Sequence, residues 1–116
     1  VVLGYIDALI RTGQGDAARK RLREYAYEHT PDPRYYKMLA EAEELAGSNV
    51  ESHIALAEYY FSLGETPMAM QQLELARREP GIDYYQTERV LARMDEMKAE
   101  LELLEDEDAR RRDRRG

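Results

Sequence analysis

The segment VESHIALAEYYFSLGETPMAMQQLELARREPGID, residues 50–83, decides the fold of this chain. Its apolar residues recur three and four apart, as at Leu56, Tyr60 and Leu63, which is the pattern of an amphipathic helix. Gly64 then interrupts the pattern. Thr66 before Pro67 is a good N-cap followed by a proline at the first helical position. The segment therefore predicts two helices joined by a short turn.

The same interruption recurs along the chain at a fixed interval. Helix-breaking positions follow one another 17 residues apart, at Gly13, Thr30 (followed by Pro31), Gly47, Gly64 and Gly81. This spacing, with no strand-like alternation, predicts helices at roughly 2–12, 15–29, 33–46, 50–63, 66–79 and 83–108. Helices joined so closely lie antiparallel, and none can bury its apolar stripe alone, so they must stack. The sequence thus predicts an all-α solenoid of about six antiparallel helices with a long C-terminal capping helix.

Local residues also predict where individual helices begin and end. Asp32 is a good N-cap before Pro33, and Asp83 can cap the last helix. Gly64 and Gly81 stand where a left-handed residue would end the preceding helix.

Composition excludes several classes of protein. The chain has 116 residues, 24 acidic and 17 basic side chains apart from histidine, a net charge of -7 and no cysteine. This length suits one domain, and the acidity argues against a nucleic-acid partner, because the basic cluster is confined to residues 110–115. No apolar stretch is long enough for a membrane span. Without cysteine there is neither a disulfide framework nor a cysteine-ligated metal site.

Segment 50–83 resembles a tetratricopeptide repeat. The residues that match the pattern are His53, Leu56, Ala57, Tyr60, Gly64, Ala69, Leu73, Ala76 and, one position early, Pro80. Residues 1–33 match less fully, through Leu9, Gly13, Ala18 and Leu22, and segment 33–50 matches through Tyr36, Leu39, Ala40 and Gly47. Glu43 departs from the pattern, since an aromatic residue is expected there. Helix 50–63 can be the second helix of one repeat or the first helix of the next.

Three longer runs carry a narrower resemblance. They are RYYKMLAEAEELAG (34–47), ALAEYYFSLGETPMAMQQLELA (55–76) and YYQTERVLARMDEMKAEL (84–101). Together they resemble the C-terminal repeat domain of periplasmic zinc metalloproteases of the beta-barrel assembly-enhancing protease family. The resemblance implies tetratricopeptide repeats over 1–82, a long closing helix over 83–108 and a charged C-terminal tail over 109–116.

In that family an N-terminal metalloprotease domain with an HExxH motif performs the proteolysis. The repeat domain contacts the outer-membrane barrel-assembly machinery and its substrates. The resemblance therefore implies a periplasmic location, protein partners including unfolded barrel chains, and zinc in a protease domain upstream. Because the chain starts at Val1, we expect it to be a piece of a longer protein. No HExxH motif is present, so we expect no catalytic residue, metal or cofactor in this chain.

The leading functional hypothesis is a protein-interaction module that recruits partners to a separate active site. The alternative is a generic structural or oligomerisation scaffold unrelated to a protease. If the first helix of each repeat lines the concave side, the residues predicted to bind a partner are Arg34, Tyr35, Lys37, Glu41, Glu44, Glu58 and Phe61. The acids Glu41 and Glu58 argue against a ligand that presents a C-terminal carboxylate.

The histidines and tyrosines allow sharper structural expectations. His53 takes a packing position, so we expect a partly buried structural histidine, and His29 stands at a helix end. Four pairs of nearby tyrosines occur, and only one ring of each can face the core. We expect the packed rings to be Tyr36, Tyr60 and one of Tyr84 and Tyr85, leaving Tyr35 and Tyr59 partly exposed.

The closing helix carries an apolar seam at Val90, Met94, Met97, Leu101 and Leu104. Its two heptads are too few for a convincing coiled coil. We expect the part through Met97 to pack on helix 66–79 as a cap. We expect Leu101 and Leu104 to project beyond the solenoid or to contact another chain. A monomer is the preferred state, and a weak homodimer through this helix is the alternative. We also expect Leu73 to be buried and Gln72 to be exposed.

Overall fold

The computed structural model describes residues 2–115, and within this range the chain forms six α-helices and no strand. The helices are α1 (Val2–Arg11), α2 (Gly15–Glu28), α3 (Pro33–Leu45), α4 (Asn49–Ser62), α5 (Thr66–Arg77) and α6 (Tyr84–Arg115). The all-α class is confirmed. The arrangement of these helices as tetratricopeptide repeats stays a prediction. Residues 1 and 116, the ends of the predicted repeat region and of the predicted tail, lie outside the described residues.

The turn after α4 follows from the left-handed backbone of Gly64, whose φ is 78°. This conformation lets Glu65 N donate to Tyr60 O at 2.9 Å, which closes the end of the helix. Gly64 thus has the predicted role. The prediction that Thr66 caps α5 is wrong: Thr66 is already helical and buried, and Glu65 precedes it without a side-chain cap. Helix α5 nevertheless begins at residue 66, where the helix over 66–79 was predicted to begin.

The connection between α5 and α6 is longer than predicted. Helix α5 ends at Arg77, three residues before Pro80, because proline cannot continue the hydrogen-bond ladder and restricts the residue before it. Gly81 therefore lies in a loop, and it has no positive φ. The prediction that Gly81 ends a helix in the left-handed conformation is wrong.

Two predicted caps are confirmed. Asp32 Oδ1 accepts a hydrogen bond from Tyr35 N at 2.9 Å at the start of α3. At the start of α6, Asp83 Oδ1 accepts from Gln86 N at 2.7 Å while Asp83 N donates to Gln86 Oε1 at 3.1 Å. Each pair satisfies backbone donors that have no partner within the helix.

The buried side chains form two cores rather than one. The first lies among α1, α2 and α3, and its completely buried large members are Ile6 and Leu22. The second lies among α4, α5 and α6 around Leu73, Val90 and Met97. The prediction that Leu73 is buried is confirmed. The molecule therefore consists of two halves with three helices each.

Small side chains join the two halves where α3 packs along α4. Ala40 of α3 is 3% exposed and Ala55 of α4 is 3% exposed, and neither belongs to the two cores. Ser52 Oγ donates to Ala40 O at 2.9 Å. Short side chains and a direct bond to the backbone allow the two helices to approach closely. We call Ala40, Ser52 and Ala55 the α3–α4 seam.

Two predictions about tyrosines are wrong. Tyr35 is only 5% exposed and belongs to the first core, whereas Tyr36 is half-buried. The core face of α3 is formed by Tyr35, Met38 and Ala42, which are spaced by three and four residues. In the first turn of α6 both Tyr84 (72%) and Tyr85 (78%) are exposed, because the buried side of α6 begins one turn later.

Helix α6 has 32 residues, a length of about 48 Å. Its first part packs on α5 and buries Val90 and Met97, as predicted, while Leu101 is half-buried and every residue from 102 to 115 is exposed. The molecule is correspondingly long, with extents of 56 × 35 × 21 Å.

The helix was predicted to end near residue 108, and this is wrong, since residues 109–115 continue it. Three acids at 106, 107 and 108 precede arginines at 110, 111 and 112 by four residues. This order of charges stabilises an exposed helix.

Candidate functional site

An open groove crosses the junction of the two halves. Its floor is apolar and is formed by Tyr36 and Leu39 of α3 and by Ile54 and Ala55 of α4. Five charged residues surround the floor: Arg23 of α2, Glu43 of α3, Glu51 and Glu58 of α4, and Arg89 of α6. The groove encloses about 240 Å³. We call it the α3–α4 groove.

Helical spacing explains why these residues share one surface. Tyr36, Leu39 and Glu43 are three and four residues apart on α3, and the groove-lining residues of α4 are spaced in the same way. Each of the two helices therefore presents both apolar and charged side chains to the groove. Helices α2 and α6 form its two walls.

Ion pairs hold the walls to the floor. Arg89 Nη1 lies 2.7 Å from Glu51 Oε1, and Arg93 binds Glu58 through two hydrogen bonds of 2.8 and 2.9 Å. The hydrogen bonds to Glu58 raise the pKa of Arg93 above its usual value. Paired bonds of this kind fix the orientation of both groups. Helix α6 is thus tied to α4 by side chains at two places.

The arginines cover the carboxylates that they pair with. The side chain of Arg23 is 63% exposed while that of Glu43 is 3% exposed. The side chain of Arg89 is 57% exposed and that of Glu51 is 25% exposed. The groove is therefore bordered by paired charges of both signs, from two arginines and three glutamates.

Glu43 is the least satisfied charged group at the site. Arg19 Nη1 lies 3.5 Å from Oε2 and Arg23 Nη2 lies 3.5 Å from Oε1. Within residues 2–115, however, no donor makes a hydrogen bond to Oε2. Burial raises the pKa of Glu43, and the charges of Arg19 and Arg23 oppose that effect. The net direction shows that desolvation outweighs the two ion pairs.

Tyr36 supplies a neutral hydroxyl near the charge of Glu58. Burial raises the pKa of Tyr36 first, and the nearby charge of Glu58 raises it further. The phenol therefore keeps its proton at neutral pH and can donate a hydrogen bond.

The residues predicted to bind a partner do not form one surface. Glu58 lines the groove, and Phe61 lies half-buried with the Arg93 guanidinium 4.8 Å from its ring centre. Tyr35 is buried, so its predicted exposure is wrong. The other four are exposed on the side of α3 that faces away from the groove: Arg34, Lys37, Glu41 and Glu44.

Sequence reasoning missed the residues that form the walls. Arg89 is 38 positions from its partner Glu51, and Arg93 is 35 positions from Glu58. No local pattern marks pairs so far apart. Glu43 did give a signal, because it replaces the aromatic residue expected at its position.

The histidines have structural surroundings. His53 Nδ1 lies 2.9 Å from Gln72 Oε1, and His53 Nε2 lies 3.4 Å from Glu79 Oε1. His53 thus bridges α4 to α5 and the loop after it, as a half-buried residue. His29 lies at the end of α2, as predicted. Within residues 2–115 no three metal-binding side chains come together, and no helix of that range is long and apolar enough to cross a membrane.

The residues that the structure describes form an all-α protein, and the short turns between its first five helices are compatible with a helical-repeat fold. Neither protein-family models nor curated proteins provide a match to this chain.

Proposed function

We propose that this chain is a protein-interaction module and that its α3–α4 groove binds a segment of a partner protein. The observation that carries the proposal is the apolar floor surrounded by charged groups from four helices. An apolar centre within a polar rim is the usual composition of a protein interface. The ion pairs from α6 to α4 hold the rim in place before a partner arrives, which lowers the entropy lost on binding.

The partner's class follows from the sequence resemblance. We propose that helices α1 to α5 are repeats of the tetratricopeptide type in a periplasmic zinc metalloprotease of the beta-barrel assembly-enhancing family. The three similar runs fall on α3, on α4 with α5, and on the first part of α6. The partners are then components of the outer-membrane barrel-assembly machinery and unfolded barrel proteins.

The mechanism in this proposal is recruitment. A substrate held in the groove is present at a high effective concentration near an active site in the same protein. This chain performs no chemical step. Zinc belongs to the upstream HExxH domain, and the sequence of the gene before Val1 tests that part of the proposal directly.

The alternative is a scaffold that associates with itself. Leu103 is 64% exposed and Leu104 is 49% exposed near the end of α6. Within the described residues no other helix covers them. Exposed leucines side by side favour association with another surface.

The experiment measures binding of purified barrel-assembly components and of a urea-unfolded barrel protein to the whole chain. Two double variants each remove two exposed positive charges. Arg23→Gln with Arg89→Gln alters the groove, and Arg34→Gln with Lys37→Gln alters the opposite side of α3. We expect the groove variant to bind about tenfold more weakly and the control to bind as the wild type does. Circular dichroism confirms that both variants stay folded.

Other outcomes contradict parts of the proposal. If only the Arg34 and Lys37 variant loses affinity, the binding surface is the outer side of α3. If the wild-type chain binds none of these proteins at about 100 μM, the proposed partners are wrong.

A further inference from the structure

We propose that the α3–α4 groove contains a subsite for a tryptophan side chain of the partner protein, whose indole N–H donates a hydrogen bond to the buried carboxylate of Glu43. This inference rests on the proposed function, because it names the chemistry that the groove recognises in a partner. Two observations carry it. One is a buried acceptor oxygen without a donor, and the other is an apolar floor bordered by charges that are already paired.

The carboxylate of Glu43 is the acceptor in this subsite. The side chain lines the groove and is 3% exposed, and within residues 2–115 its Oε2 receives no hydrogen bond. A buried charged group without a donor is costly, and such groups are rare in folded proteins. The torsion that orients a glutamate carboxylate is broad, so a small rotation turns the free oxygen towards a ligand. A ligand that donates to this oxygen therefore relieves a cost that is already present in the folded chain.

The donor on the ligand is neutral. Arg19 and Arg23 already lie 3.5 Å from the two oxygens of Glu43, so a lysine or arginine of a partner would meet two like charges. The other two carboxylates at the border each lie within 2.8 Å of an arginine nitrogen of α6. The border therefore offers no unpaired charge to an ionic ligand, and it favours an uncharged side chain.

An indole matches both the acceptor and the floor. Its N–H is a donor only, so a bond to a carboxylate oxygen leaves no lone pair of the ligand without a partner. Its large apolar ring can cover the floor formed by Tyr36, Leu39, Ile54 and Ala55. Buried tryptophans generally place their N–H on an acceptor, and tryptophan is enriched among the residues that dominate binding at interfaces.

The exposed arginines at the border suit the same ring. The side chains of Arg23 and Arg89 are 63% and 57% exposed. An ion pair uses the N–H edge of a guanidinium, so its flat faces remain free to stack on an aromatic ring. Tryptophan is the aromatic side chain that cations prefer. The chain already contains one such contact, since the Arg93 guanidinium lies 4.8 Å from the ring centre of Phe61.

Binding of N-acetyltryptophanamide to the whole chain tests the subsite. The chain contains no tryptophan, so fluorescence excited selectively in the indole reports only the probe. The comparison probe is the same compound methylated on the indole nitrogen, which keeps the ring and loses the N–H. We expect a Kd on the order of 1 mM for the first probe and binding about tenfold weaker for the methylated one.

Methyl NMR spectra locate the bound probe. The methyl signals of Ile54, in the floor of the groove, should shift on addition of the probe. Those of Ile6, completely buried in the first core, should not. N-acetyltyrosinamide, measured by displacement of the indole probe, should bind more weakly. Tighter binding of this phenol overturns the choice of an indole.

Glu43→Met separates the hydrogen bond from the size of the added methyl group. The variant lacks the acceptor, so the two probes should bind it equally. Glu41→Met is the matched control, since it makes the same change at an exposed position of α3, and it should keep the tenfold difference. If the difference persists in Glu43→Met, the methyl group acts by its size and the proposal is wrong. If Glu43→Met does not fold, equal binding of the two probes to the wild-type chain still refutes the proposal.

This inference and the proposed function fail separately. If neither probe binds the wild-type chain at about 10 mM, the subsite is wrong, even where a partner protein binds and the Arg23 and Arg89 variant weakens that binding. If the indole probe binds through Glu43 and none of the proposed partners binds, the subsite is supported and the proposed partners are wrong.

Discussion

Leu73→Ala should lower the free energy of unfolding by about 3–5 kcal/mol, the upper part of the range for buried leucines. Leu73 is completely buried in the second core. Removing three carbon atoms costs about 2.4 kcal/mol of transfer free energy at ~0.8 kcal/mol for each carbon. Its neighbours on α5, Ala69 and Ala76, are also completely buried, and their methyl groups are too short to fill the space. A cavity therefore remains and adds to the cost.

Leu75→Ala is the matched control, since it makes the same chemical change on the same helix. Leu75 is 46% exposed, so we expect a loss below about 1 kcal/mol. Gln72 is unsuitable as a control, because the prediction that it is exposed is wrong: it is half-buried and bonded to His53. The structure thus replaces the expected control with a better one.

The assay is urea unfolding followed by circular dichroism, with one slope fitted to all variants. If Leu73→Ala does not fold, Leu73→Val measures the same site with an expected loss of about 1 kcal/mol. Equal midpoints for Leu73→Ala and Leu75→Ala would refute the reasoning, because they would show that Leu73 is not enclosed by the core.

Three further predictions concern charge and close packing. Glu43→Met should raise stability at pH 7, because desolvation outweighs the ion pairs of Glu43. The pKa of Glu43 is raised in the folded state, so the wild type loses stability as the pH rises through that pKa. Urea melts between about pH 4 and 8 should therefore show that the stability gained by Glu43→Met becomes smaller in acid. Gly15→Ala should cost about 1–3 kcal/mol in thermal melts, since its Cβ would lie 2.7 Å from Ala46 N. Gly4→Ala, with open space around it, should stabilise α1 in the same melts. Replacing the acids at 106–108 with amides should speed amide hydrogen exchange in residues 109–115, because the pairs four residues apart are lost.

Local signals explain how much of the fold was predictable. The interval of 17 residues located five helices to within two residues at each end, because breakers and caps act on their immediate neighbours. The core face of α3 was not predictable in the same way, since Tyr35 and Tyr36 are adjacent and both suit a core. The choice depends on how α3 is rotated against α1 and α2, which is a tertiary property.

The candidate site was less predictable than the fold. Of the residues that line the groove, only Glu58 was predicted for a binding surface. The walls depend on pairs such as Arg89 with Glu51, which packing brings together across 38 positions. The end of α6 was predictable in principle, because its acids and arginines have helical spacing, although a run of charges also suits an extended tail.

The α3–α4 seam has a consequence for the order in which the molecule opens. Each half has its own large buried side chains, whereas the seam contributes methyl groups from Ala40 and Ala55 and one bond from Ser52. We therefore expect native-state hydrogen exchange to resolve two cooperative units, because each core is enclosed by its own three helices. The groove lies across this seam. A segment bound between Arg23 and Arg89 touches both units at once, so its binding free energy also holds them together.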